Sequence, residues 1–164
     1  MPTPTEYGLN RLDPAPDAVA AVIATPSTQY FEDFGDKFED EINGVPIPTS
    51  MGKFVVAGTA IVVAPYPKII YHKNILSGIH RNPQFRQWYN DSYVRALADG
   101  IKPLQFAMGE PVTDAGLFTI EHDTLKVGDM SGSYGRADGP GRDRTIELFR
   151  AAVSPHFDVE DMGY

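Results

Sequence analysis

The chain contains no cysteine. That absence excludes disulfides, thiolate nucleophiles, iron–sulfur clusters and zinc ribbons together. It leaves the compartment open, because secreted domains of this size fold without bridges. Long apolar runs are missing too. The longest runs from Phe54 to Ala64, eleven residues interrupted by Gly58 and Thr59, whereas a membrane-spanning helix needs about 20. The expectation is a soluble chain with no membrane span. Met1 to Pro16 holds Pro2, Pro4 and Glu6 without a basic-then-apolar order, so no secretory signal is readable. Virion or cytoplasm are the first expectations for its location.

Basic residues are scarce: 14 Lys and Arg stand against 22 Asp and Glu, a net charge of −8. Nucleic acid is therefore not an expected partner, since phosphate recognition needs a Lys/Arg footprint. No Walker loop, dinucleotide fingerprint or EF-hand loop is present, and Ser131 and Ser133 lack the flanking glycines of a nucleophile elbow. No cofactor is expected.

What is present is enough for one folded domain. The chain has 164 residues, of which 40 are Leu, Ile, Val or Phe, about 24% and above the rough 20% below which chains stay disordered. The charge is segregated. Residues 1–50 hold nine acids against Arg11 and Lys37, a net of −7, while residues 51–164 sum to −1. The reading is an acidic arm with amphipathic helices over 1–50 and a core over 51–164, in one domain overall.

Local signals fill this in. A short helix is expected over Ala15 to Ala24. A second is capped by Ser27, with Tyr30, Phe31, Phe34, Phe38 and Ile42 at helical spacing and acids opposite. Pro46 and Pro48 make Val45 to Ser50 a loop. Lys53 to Ala64 reads as a strand buried on both faces or bent at Gly58. A further strand is expected over Lys68 to His72. Pro83 begins a helix with Phe85, Trp88, Tyr89, Tyr93, Val94 and Leu97 inward, closed by Gly100. Strands follow over Ile101 to Met108, Leu117 to His122 and Leu125 to Val127, with Met130 to Tyr134 extending the last. Ser133 to Arg144 is a glycine-rich charged loop. Asp143 caps a final helix with Ile146, Phe149 and Val153 inward, and the residues after Pro155 form a short acidic tail. The class is α+β, with a mixed or antiparallel sheet of about five strands, four or five helices and an extended amino-terminal arm.

Two functions follow as expectations. The first is a non-enzymatic assembly component, of a viral particle or another multi-subunit complex. Its acidic arm contacts other subunits in a homo- or hetero-oligomer, with Tyr30, Phe31, Phe34 and Phe38 as an aromatic anchor at the interface; core packing is the alternative use of those rings. The second is a small hydrolase or toxin domain acting on a phosphorylated or otherwise anionic substrate. There His122 serves as general acid or base, Asp123 or Asp129 orients it or holds a metal, and Arg136 and Arg142 bind the anion. Its structural alternative is a hairpin turn at His122 and Asp123. No pair of the four histidines, His72, His80, His122 and His156, has the spacing of a helical zinc motif.

Overall fold

The computed structural model describes residues 23–34, 39–42, 45–48, 50–65, 75–76, 83–104, 111–129, 131 and 134–162. Its centre is the hairpin of β4 (Met51–Ala57) and β5 (Ala60–Pro65), turning at Gly58 and Thr59. Gly58 has φ +67°, as a two-residue hairpin with glycine first requires. A Cβ there would lie 1.8 Å from the Ser92 carbonyl oxygen, so the bare backbone is also what lets the turn meet the helix above it. The expected single stretch from Lys53 to Ala64 is thus two strands, each apolar on both sides.

β6 (Asp114–Glu121) pairs with the free side of β4, and β7 (Thr124–Val127) folds back on β6. β1 (Ile23–Ala24) pairs with β5, and β8 (Asp158–Asp161) runs parallel to β7. The order is β1-β5-β4-β6-β7-β8, a mixed six-stranded sheet. A separate two-stranded sheet joins β2 (Glu39–Ile42) to β3 (Val45–Pro48).

Period-two alternation sends the strands' side chains to two cores. Val55, Ala57, Ala60, Val62, Ala64 and Ala115 meet Phe85 and Tyr89 of α2 (Pro83–Ala98). Phe54, Val56, Ile61, Val63 and Phe118 meet Ile146, Phe149 and Val153 of α3 (Gly139–Val153), with α1 (Thr28–Glu32) completing that side. The α+β class holds, with three helices described rather than four or five, and six strands in the main sheet rather than five.

Several local expectations are corrected. The Ser27 cap is present, its hydroxyl accepting from the Tyr30 amide at 3.4 Å, but α1 ends at Glu32 and Ile42 lies in a strand. Val45 to Pro48 is a strand despite its prolines. Pro46 and Pro48 share one parity, so both missing N–H groups fall on the same side, and a two-stranded hairpin has an outer edge that tolerates this. α2 keeps its expected start and stop, with Gly100 at φ +84°. The Gly100 and Ile101 amides donate to Leu97 and Ala96 carbonyls, the glycine-closed helix end. Phe85 and Tyr89 face inward as expected, with Trp88 and Tyr93 partly buried against them, but Ser92 and Ala96 complete the stripe and Val94 and Leu97 are exposed.

The cap of α3 lies five residues before the expected Asp143. Asp138 is the cap, its carboxylate accepting from the Gly141 amide at 2.8 Å, with Pro140 in the first turn. Asp138→Ala is expected to cost about 1 kcal/mol, read as a lower thermal midpoint; no change would show that the cap is idle. The acidic tail contains β8, which the charge-rich sequence Asp-Val-Glu-Asp concealed. Residues 101–104 are irregular. The expectations over Lys68 to His72, residues 105–108, Met130 and most of Ala15 to Ala24 lie outside the described residues.

Candidate functional site

Asp114 is the first residue of β6 and pairs across to Val56. Parity places it on the side of Phe118, beneath the first turn of α3, where it is fully buried. Arg142 descends from that turn. Its Nη2 donates to Asp114 Oδ1 at 3.0 Å and its Nη1 to the Gly128 carbonyl at 3.3 Å. The guanidinium stands 5.8 Å from the centroid of the Phe54 ring, within range of a cation–π contact. Gly116 makes the Gly128 position possible: a Cβ on Gly116 would fall 2.0 Å from the Gly128 oxygen.

The Asp114 carboxyl is pushed up to about 6 by burial. Arg142, the Thr145 hydroxyl and the Ala115 amide (2.8 Å) oppose the shift, and the charge of Asp129 adds to it. Thr145 directs its proton at the Gly141 carbonyl, 3.2 Å away, and Oδ2 has no hydrogen-bond donor among the described residues. A buried carboxylate oxygen without a donor is costly. A carboxyl of this kind is suited to holding or yielding a proton near neutral pH.

At the surface beside this pair, Arg136 Nε donates to Asp129 Oδ2 at 2.7 Å. That carboxylate holds the Arg136 guanidinium above its ordinary range. Arg144, on the exposed part of α3, pairs with Asp99 at 2.8 Å.

The structure brings together Asp129, Arg136 and Arg142 and leaves His122 and Asp123 elsewhere. Those two residues are the exposed loop of the β6–β7 hairpin, between Glu121 and Thr124, with His122 at φ +53°. Gly128 lies past the opposite end of β7, five residues from Asp123, or about 16 Å of strand. The neighbours of His122 are local: Glu121, held below the usual carboxylate range chiefly by Lys126 at 2.8 Å, feels the His122 charge as a smaller effect. His156 pairs with Glu32 at 3.2 Å; His72 and His80 lie outside the described residues. Among the described residues no group of three His, Cys, Asp or Glu side chains is arranged to hold a metal.

The aromatic anchor is placed inward. Tyr30, Phe31 and Phe34 are buried, with Phe31 and Phe34 edge-on to Phe118 at 5.5 and 5.3 Å. Burial also raises the Tyr30 hydroxyl pKa. Phe38 lies outside the described residues. The spacing that suggested an exposed apolar face is met by a short helix whose apolar side closes the core.

Asp114 was not among the candidates read from the chain, although a signal existed. In Asp114-Ala-Gly-Leu-Phe-Thr-Ile the acid shares parity with Phe118 and Ile120, so a strand there must bury it. No family model, curated protein or solved structure matches the chain. No helix among the described residues is long and apolar enough to cross a membrane.

Proposed function

We propose that this protein is a non-enzymatic component of a multi-subunit assembly, contacting a basic protein surface through its acidic amino-terminal third. The observation that carries this reading is the partition of charge, −7 over residues 1–50 against −1 over residues 51–164. Within that third, Tyr30, Phe31 and Phe34 are used by the core. The acids Glu39, Asp40 and Glu41 fall on β2, whose hairpin with β3 is separate from the main sheet. A lone two-stranded hairpin is marginally stable in water, and a complementary surface would both steer and support it. The hydrolase reading is weaker because it needs His122 and the arginines in one pocket, and they lie at opposite ends of the β6–β7 hairpin.

Light scattering of the full chain across concentration, at about 0.05 M and about 0.5 M salt, tests the reading, since these conditions bracket long and short reach of surface charge. Association that weakens with salt, and is lost in the triple variant Glu39→Gln, Asp40→Asn, Glu41→Gln, is the expected result. A monomer at every concentration and both salts would overturn it.

A further inference from the structure

The groups facing the Asp114 carboxyl come from three elements. Its own strand supplies the Ala115 amide, α3 supplies Arg142 and Thr145, and the segment after β7 supplies Asp129, itself tied to Arg136. The buried Lys53 of β4 shares parity with Val55 and belongs to the opposite face of the sheet.

This cluster has two arrangements. With Asp114 ionised, Arg142 bridges its carboxylate and the Gly128 carbonyl, joining β6, α3 and the segment after β7. With Asp114 neutral, its carboxyl carries a proton to donate, and the Thr145 hydroxyl that faces the carboxyl can accept. The Arg142 bond to Oδ1 then loses its charge assistance and becomes a contact with a neutral acceptor, beside the 3.3 Å bond to Gly128 and the face of Phe54. Its side chain is already 10% exposed, and its long stem lets the guanidinium turn to water.

We propose that Asp114 and Arg142 form an acid-triggered latch, in which proton uptake by Asp114 weakens its hold on Arg142 and loosens the attachment of Gly128 and Asp129, after β7, to α3. The coupling follows from reciprocity. Contact with Arg142 weakens the hold of Asp114 on a proton, so the state without that contact binds the proton more tightly, and acid favours that state. Burial places the change near pH 6, within reach of ordinary physiological acidification.

Amide exchange of the full chain, followed by NMR between pH 5 and 8 and corrected for the intrinsic rate, reads the latch at Asp129 and Arg136. The expected result is a rise of about tenfold in opening on the acid side, which corresponds to about one pH unit between the Asp114 pKa values of the two states. Amides of α2 serve as the control and stay unchanged. Asp114→Asn opens the segment at every pH and removes the titration. The Asp114 carboxyl carbon, titrated in the wild-type protein, gives a midpoint that coincides with the exchange midpoint and needs no variant. Flat exchange in the wild type, or an Asp114 midpoint in the ordinary range of about 4, would overturn the proposal.

Discussion

Phe149→Ala is expected to lose about 3–5 kcal/mol of stability, a large part of what a domain of this size possesses. Phe149 is fully buried and stands at the crossing of α3 with the sheet. Its ring lies edge-on to Phe54 at 5.2 Å and to Phe31 at 6.2 Å, and tilted against Phe118 at 6.1 Å. Three rings lose a neighbour at once. They belong to α1, β4 and β6, so no single shift of one element fills the space. Unfolding in urea, followed by fluorescence of Trp88, the single tryptophan, should show a lower midpoint with an unchanged slope. A loss under about 1 kcal/mol, the scale of a surface change, would mean that α3 is not seated on these rings.

Arg142→Met is the second large effect, and pH distinguishes it from the first. The variant leaves Asp114 fully buried with no cation facing it, a change that costs about 3–5 kcal/mol when the survivor stays charged. Asp114 has a folded pKa of about 6 against an ordinary 3.8. The folded protein therefore holds this proton more tightly than the unfolded chain. The contribution of Asp114 is most favourable below about 4 and is lost as pH rises through about 6, an effect on the order of 3 kcal/mol. Removing Arg142 raises the Asp114 pKa further, so the variant gains more from acid than the wild type does. The gap between the two should be widest above pH 7 and narrow towards pH 5. Asp114→Asn combined with Arg142→Met should recover much of the loss, because both charges leave together. A gap of constant size from pH 5 to pH 8 would show that Arg142 acts through packing alone.

These effects meet the sequence at different depths. The ends of α2 were legible because Pro83 and Gly100 act locally, through a fixed φ and a left-handed closing residue. The face that α2 turns inward was legible only in part: Phe85 and Tyr89 follow their spacing, but Ser92 and Ala96 are buried where Val94 and Leu97 are more apolar, because the sheet beneath decides. The start of α3 was hidden by Gly139-Pro140-Gly141, which reads as loop. Close packing on the strand below favours a small residue at Gly141, whose Cβ would lie 3.3 Å from the Thr113 carbonyl oxygen.

The same division holds for the site. Charge segregation, the missing thiols and the aromatic content of Tyr30 to Phe34 are properties of composition and stand without coordinates. Nearness in sequence made His122, Asp129, Arg136 and Arg142 look like one constellation. A strand carries the chain away by about 3.3 Å per residue, so β7 puts His122 at one end of the sheet and the arginines at the other. Asp114 joined Arg142 across 28 residues only because β6 pairs with β4 and α3 crosses above them. Patterning by itself determined that Lys53 to Ala64 is apolar on both faces and that the amino-terminal third is acidic; that the stretch turns back on itself at Gly58 is seen only in the fold. Tertiary structure alone decided which charged groups meet, because burial and distance set the energy of a charge pair and both arise only when distant elements pack.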